Sequence, residues 1–185
     1  MLVLAPTVLA RLRSASFIPS ATAVPGMEIS SRHHLRSDAV RDLEDALAAG
    51  FGIAFDAERY ELVEIADEEI DLVLADGEPV AVYFDGEPAP TVRGANAADP
   101  TKRIVTVDAG AVSFVSDGAD VMRPGITNTT DDVDTDDLVL VAEEAHGKVL
   151  AVGRARVPSA EMLGDSGKVI DSIHHVGDDL YAFTP

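Results

Sequence analysis

The chain has 185 residues, enough for one domain or two small ones, and is 46% hydrophobic but only 5% aromatic, which predicts an aliphatic core. It has no cysteine, which excludes disulfides, thiolate nucleophiles and cysteine-based zinc sites. It carries 33 acidic against 14 basic residues, a net charge of −19, and no apolar run near the roughly 20 residues that a membrane-spanning helix needs.

The acidic excess comes with very few lysines. Of the 33 acidic residues 21 are aspartates, and only Lys102, Lys148 and Lys168 are lysines. Such a composition is typical of proteins from salt-loving organisms, in which surface carboxylates keep the protein hydrated. At molar salt the Debye length is about 3 Å, so surface charges barely act on a distant polyanion. The net charge therefore does not exclude binding to nucleic acid.

The composition changes sharply at residue 27. Residues 1–26 contain two arginines and no acidic residue, whereas all 33 acids lie beyond them. One interpretation is a targeting peptide, but the apolar run precedes the arginines, which is the wrong order for a secretory signal. We favour an unstructured upstream extension, with Met27 as the true start.

One amphipathic helix is predicted soon after this change. Ser37 is placed as its N-cap, with acidic residues in the first turn, and Gly50 as its C-cap. Between them Val40, Leu43 and Leu47 recur on one helical face, which indicates a helix packed against a core.

Short runs with strand character follow this helix. They lie at 52–55, 60–65, 71–75 and 79–84, and Asp76-Gly77-Glu78 predicts a hairpin between the last two. Residues 87–100 are rich in proline, glycine and alanine with little apolar periodicity, and we interpret them as a connector. Residues 27–100 are therefore predicted to form an α+β domain.

Residues 101–185 are predicted to form a second, mostly β domain. SAEML at 159–163 is at most one helical turn. The predicted strands lie at 102–107, 138–142, 148–157, 168–176 and 179–183. Several short strands with one short helix indicate a small β-barrel or sandwich.

The segment from Asp108 to Ile126, DAGAVSFVSDGADVMRPGI, contains three glycines between two strand-like runs. Asp108 is placed as the N-cap of a short helix and Gly118 as its left-handed C′ residue. Pro124-Gly125 fits the centre of a type II turn. Exposed amides with little side-chain bulk suit a phosphodiester backbone. On this segment alone, however, the favoured interpretation is that the glycines merely permit two tight turns.

The order of motifs resembles a known family. VDAGAVSFVSDGADVMRPGI, DDLVLVAEEAHGKVLAVGRARV and GKVIDSIHHVGDDLYAF together resemble a PUA domain, an RNA-binding module, over about 102–183. The closing motif is similar to the stand-alone PUA proteins of the malignant-T-cell-amplified and translation-machinery-associated type, with their archaeal relatives. SSRHHLRSDAV at 30–40 is similar to the start of the pre-PUA domain of that type.

This resemblance implies an α+β pre-PUA domain, a mostly β PUA pseudo-barrel and RNA binding without catalysis. It implies a cytoplasmic protein that acts on tRNA or the small ribosomal subunit, beside an initiation-factor-like partner, with no membrane and no cofactor. Arg32, Arg36, Arg103 and Arg156 are candidates for a nearby cationic strip. The matching RNA-facing positions are Gly110, Ala111, Phe114, Gly118, Ala119, Arg123, Gly125, Arg154 and Lys168.

Two other functions stay open. An RNA-recognition accessory subunit for a separate pseudouridine or archaeosine enzyme is the alternative within RNA biology. A stand-alone hydrolase would use paired carboxylates, but such pairs arise by chance in so acidic a chain, and no catalytic triad or phosphate loop stands out. We therefore expect the chain not to be an enzyme.

Metal binding is not expected either. Asp132, Asp134, Asp136 and Glu143 match ligand positions of a calcium loop, but Asp137 stands where that loop needs glycine and a strand follows. Two adjacent histidine pairs, at 33–34 and 174–175, lie on predicted strands, where neighbours point to opposite faces. We expect one histidine of each pair to pack inward and the other to be exposed.

Overall fold

The computed structural model describes residues 27–66 and 70–185, so the predicted extension at 1–26 lies outside the described residues. The described elements of the first half are β1 (Ile29–His34), α1 (Ser37–Phe51), β2 (Tyr60–Ile65), β3 (Ile70–Ala75), β4 (Glu78–Phe84), β5 (Glu87–Pro90) and α2 (Val92–Ala98). The strands form one antiparallel sheet in sequence order. Among the described residues, no helix has the length and apolar character needed to cross a bilayer.

The amphipathic helix α1 forms where its periodicity predicts. Leu43, Leu47 and Phe51 are its buried residues. Its caps differ from the prediction: the N-cap is Arg36, which makes no side-chain capping bond, and the helix continues through Gly50 to a left-handed Gly52. The Gly52 amide donates to the Ala48 carbonyl, so residues 52–55 leave the helix as irregular chain and the strand predicted there was wrong.

The segment interpreted as a connector is ordered structure, so that interpretation was wrong. It forms β5 and α2, and Thr91 caps α2 by accepting from the Gly94 amide while its hydroxyl donates to the Pro79 carbonyl. A Cβ on Gly94 would lie 2.0 Å from the Val80 carbonyl oxygen. The small residues therefore let α2 pack directly on β4, and their composition reflects close packing.

The second half contains a six-stranded curled sheet. Its elements are β6 (Ile104–Val107), α3 (Ala109–Ser116), β7 (Val121–Met122), β8 (Ile126–Thr129), β9 (Leu138–Glu143), β10 (Val149–Ala155), β11 (Lys168–His175) and α4 (Asp179–Ala182). The strand order is β7-β11-β10-β9-β6-β8, and among these described strands only β6 and β9 pair in parallel. The two edge strands, β7 and β8, are joined by a single 3₁₀ turn, which curls the sheet. The predicted α+β unit followed by a mostly β pseudo-barrel is confirmed.

The chain ends in a helix where a strand was predicted. Asp178 accepts a hydrogen bond from the Tyr181 amide at 2.7 Å and so caps α4. Leu180 and Phe183, three positions apart, are buried, whereas Ala182 is exposed. The strand prediction for 179–183 was wrong because a four-residue helix has too few residues to show a period.

Candidate nucleic-acid interface

A cleft of about 480 Å³ opens beside the first turn of α3. It lies between that helix and the chain from β7 to the start of β8. Five of the nine residues predicted to face RNA line it: Gly110, Ala111, Phe114, Ala119 and Gly125. Its other lining residues are Asp108, Val115, Asp120, Val121, Met122 and Pro124.

Helix α3 is held in place at both ends. Asp108 caps its start, as predicted, by accepting from the Ala111 amide at 2.9 Å. The Asp108 amide in turn donates to the Gly125 carbonyl at 2.9 Å, which draws the two walls of the cleft together. Gly118 ends the helix with φ +85°, the predicted left-handed conformation. Local capping therefore positions the cleft.

Gly125 has a packing role that differs from the predicted one. Arg123–Gly125 is a 3₁₀ turn, and Gly125 is not among the glycines with positive φ, so the type II turn was wrong. A Cβ on Gly125 would lie 2.9 Å from the Cβ of Ala111. The missing side chain therefore lets this turn approach α3 and close the end of the cleft.

Two large apolar side chains stand open at the cleft. Phe114 is 66% exposed and Met122 is 49% exposed. Exposed aromatic rings are uncommon in so aliphatic a protein, and a ring of this kind offers a flat face for stacking. Met122 was not predicted, because a two-residue strand leaves no alternation from which its outward direction could be seen.

A ladder of alternating charges runs beside the cleft. Lys168 Nζ lies 2.8 Å from both Asp120 Oδ2 and Asp171 Oδ1, and Arg156 Nε lies 2.8 Å from Asp171 Oδ2. The hydrogen bond from Lys168 and a second from the Ser172 amide hold the pKa of Asp120 below its usual value. Lys168 is therefore near the cleft, as predicted, but its charge is shared between two carboxylates.

Arg123 does not line the cleft. Its Nε donates to the Glu161 carbonyl and its Nη1 to the Ser166 carbonyl, both at 2.9 Å. A Cβ on Gly164 or Gly167 would lie within 2.9 Å of the arginine side chain, so both glycines leave room for it. Arg123 holds the 161–167 loop in place, and its contact with RNA stays a prediction.

Arg154 lies at the junction of the two halves. Its Nη1 donates to Glu87 Oε2 at 3.2 Å and to the Asp136 carbonyl at 2.7 Å, and Asp85 is 3.8 Å from Nη2. The structure therefore gives Arg154 a structural contact away from the lining of the cleft. Nothing in the sequence marks this, because Glu87 is 67 positions away.

Of the four arginines in the predicted cationic strip, three pair with carboxylates and one does not. Arg32 pairs with Glu61, Arg156 with Asp171, and Arg103 with Asp137 while it lies over the Phe51 ring at 5.8 Å. Arg36 has neither a carboxylate partner nor a hydrogen-bond acceptor for its side chain among the described residues.

The histidine pairs follow the prediction in one case. His174 is buried and His175 is partly exposed, with its Nδ1 donating to the Ser116 carbonyl at 3.0 Å, but His33 and His34 are both exposed. A Cβ on Gly118 would lie 2.6 Å from His175 Nε2, so Gly118 packs against this ring at the back of the cleft instead of lining it. Within 27–66 and 70–185, no three metal-ligating side chains converge.

Comparison with known proteins assigns the second half to a class. Residues 103–177 match the PUA domain family. A conserved PUA domain protein from Thermoplasma acidophilum superimposes with a TM-score of 0.73 and 28% identity, covering 84% of this chain and all (100%) of that one. The curled sheet, α3 and its cleft are therefore those of a PUA domain.

Relatives that match about two thirds of the chain or more identify the family within this class. An uncharacterized protein of Methanocaldococcus jannaschii is 35% identical over 160 residues, which are 85% of this chain and 99% of that protein. A malignant T-cell-amplified sequence 1 homolog of Drosophila melanogaster is 32% identical over 64% of this chain and 68% of its own. Translation machinery-associated protein 20 of Saccharomyces cerevisiae is 29% identical over 68% of this chain and 73% of its own. The chain belongs to this family of PUA-domain proteins.

Proposed function

We propose that this protein binds RNA without catalysis and acts on tRNA or the small ribosomal subunit in translation. It works in the cytoplasm beside an initiation-factor-like protein. Membership of a PUA family with a translation machinery-associated relative supports a role connected with translation. The observation that carries RNA binding is the cleft at α3, with its exposed Phe114 ring.

The cleft suits an unstacked base better than a phosphate group. Single-stranded RNA presents bases that stack on aromatic rings, and each stacked base contributes about 1–3 kcal/mol. Gly110, Ala111 and Ala119 leave room for a planar group beside Phe114. Lys168, which pairs with the lining residue Asp120 and with Asp171, contributes little free positive charge to the cleft. Stacking therefore supplies the affinity at this place.

The test uses the full chain at molar potassium chloride with an unmodified tRNA transcript and with purified small ribosomal subunits. We expect Phe114→Ala to weaken binding by about tenfold, the loss of one stacked base. Leu163→Ala is the matched control, because Leu163 is also exposed, at 54%, but does not line the cleft. Equal affinity of Phe114→Ala and the wild type would exclude the cleft as the RNA-binding site. A wild type that binds neither the tRNA transcript nor the small subunits would overturn the proposal.

The accessory-subunit alternative predicts a different set of partners. Affinity capture from native lysate should recover ribosomal proteins if the proposal is right. Recovery of an RNA-modifying enzyme in their place would favour the alternative.

A further inference from the structure

The basic side chains of the described residues divide by what they contact. Lys102 and Arg123 donate to backbone carbonyls. Six others lie within 4.0 Å of a carboxylate: Arg32, Arg93, Arg103, Arg154, Arg156 and Lys168. In the part of the chain that the structure describes, the side chains with no such contact are Arg36, Arg41, Arg59 and Lys148.

Two of the three unpaired arginines line one groove, and the third lies beside it in the chain. This groove, of about 460 Å³, lies where the end of β1, the first turns of α1 and the chain before β2 meet. Arg41 and Arg59 line it, and Arg36 stands between two of its lining residues, Leu35 and Ser37. The Leu35 amide donates to the Tyr60 carbonyl at 2.9 Å, which holds these segments side by side. We call Arg36, Arg41 and Arg59 the arginine groove.

The carboxylates that line this groove form no ion pair with its arginines. Glu44 and Glu58 also line it, but Glu44 Oε1 accepts a hydrogen bond from the Tyr60 hydroxyl at 2.9 Å. Burial and that hydrogen bond raise the pKa of Tyr60, so its proton stays on the hydroxyl and continues to engage Glu44. Neither Glu44 nor Glu58 lies within 4.0 Å of a guanidinium nitrogen of Arg41 or Arg59, so the N–H donors of both arginines stay free of a carboxylate.

The chemistry of arginine indicates which kind of ligand the groove binds. A guanidinium group presents its N–H donors in a planar fork that fits two phosphate oxygens at once and keeps its charge at any physiological pH. In a chain with 33 acidic residues, arginines that are left without a carboxylate are available to an external anion. An RNA bound at the α3 cleft would bring its own phosphate groups near this groove.

We propose that the arginine groove is a second RNA-contacting surface that binds phosphodiester groups, while the α3 cleft binds a base. This inference rests on the proposed RNA-binding function. It assigns the two halves different tasks, because the cleft of the second half is apolar and its cation is paired, whereas the groove of the first half holds unpaired arginines.

The salt dependence of binding measures phosphate contacts directly. The logarithm of the binding constant falls with the logarithm of the salt concentration, with a slope of about 0.7–0.9 for each phosphate neutralised. We compare the full wild-type chain with Arg41→Gln/Arg59→Gln over a potassium chloride series, with an unmodified tRNA transcript as the probe. We expect this double variant to lower the slope by about 1.5. Adding Arg36→Gln should lower it by about 0.8 more.

Lys102→Gln/Lys148→Gln is the control with the same change in net charge at positions outside both surfaces. We expect its slope to equal that of the wild type. Thermal unfolding midpoints, which should agree among all variants, show that the exposed substitutions leave the fold intact.

Each outcome has one meaning. If the wild type binds the transcript but the arginine variant keeps the wild-type slope, the groove inference is overturned and the proposed function stands. A slope that falls equally in the lysine control also overturns it, since total charge would be the cause. If polyglutamate binds more tightly than the transcript, and does so through these arginines, the groove is a protein-binding surface and the inference is overturned. If the wild type binds no RNA, the inference and the proposed function both fail.

Discussion

Gly118 lacks a side chain for two separate reasons. Its φ of +85° lies in the region that a Cβ disfavours, and a Cβ there would lie 2.6 Å from His175 Nε2. The His175 ring cannot move away freely, because its Nδ1 donates to the Ser116 carbonyl in the last turn of α3. Gly147 shares only the first reason: its φ is +69°, and a Cβ at that position would meet no other group within 4 Å. A comparison of substitutions at the two glycines therefore distinguishes the cost of backbone strain from the cost of steric contact.

We expect Gly118→Ala to reduce the free energy of unfolding by about 1–3 kcal/mol more than Gly147→Ala does. Both variants carry a left-handed penalty of about 1–2 kcal/mol, but only the first displaces a packed ring. Urea unfolding followed by circular dichroism measures both. An equal loss of unfolding free energy in the two variants would show that the His175 ring moves aside at no cost in free energy.

The element that connects the end of the chain to the first half is the β11–α4 corner. His174 is 1% exposed, and its Nε2 accepts the Val92 amide at 3.1 Å, which links β11 to the start of α2. Its Nδ1 lies 2.8 Å from Asp178 Oδ2, and Asp178 also accepts the amides of His175 and Tyr181. One carboxylate therefore orients the histidine and caps the helix.

We expect Asp178→Asn to lower the free energy of unfolding at pH 7 by about 1.5–3 kcal/mol, the range for hydrogen bonds to a charged group. Burial opposes ionisation of Asp178, but the hydrogen bonds from His174 and two amides outweigh it and hold its pKa below the usual value. The stabilisation is therefore present above the unfolded pKa of about 3.9 and is lost as the pH falls through the lower folded value.

Asp179→Asn is the control for this prediction, because Asp179 is exposed and caps nothing. Urea midpoints measured from pH 7 down to about pH 3 should show a gap between Asp178→Asn and wild type that closes at the acid end. A difference in urea midpoint that persists unchanged at low pH would mean that the shape of the Asp178 side chain, and not its charge, accounts for its role.

At the scale of the whole molecule, the two halves share a hydrophobic core. Phe51 and Val82 of the first half belong to the same buried cluster as Leu138, Leu140 and Phe183 of the second. Polar contacts reinforce this junction: Asn96 accepts the Val149 amide and donates to the Val149 carbonyl, both at 2.9 Å. We propose that the predicted boundary between 27–100 and 101–185 separates two sequence units that unfold together.

Leu140→Ala tests this proposal, because Leu140 lies in β9 but packs in the shared core. We expect the free energy of unfolding to fall by about 2–5 kcal/mol, by the same amount in both halves. Hydrogen exchange of the β3 and β10 amides measures the two halves separately. A loss confined to β10, or two transitions in urea, would show that the halves unfold independently.

Much of the fold is predictable because its signals are local. The strands at 71–75 and 79–84, the hairpin at Asp76-Gly77 and the helix between Asp108 and Gly118 all rest on neighbours a few residues apart. Alternation, capping and left-handed glycines act over that range, so they appear in the sequence itself. Five residues of the α3 cleft could be named because the order of motifs resembles a PUA domain.

The sequence by itself thus determined the class of fold and the place of the cleft, whereas tertiary structure decided which partner each basic side chain takes. Arg123 is held by a carbonyl 43 positions away, Arg154 by a carboxylate 67 away, and His174 accepts an amide 82 away. The arginine groove is likewise visible only once β1, α1 and the chain before β2 have packed together. A charged side chain takes the partner that folding brings within about 4 Å, and separation along the chain carries no information about that partner.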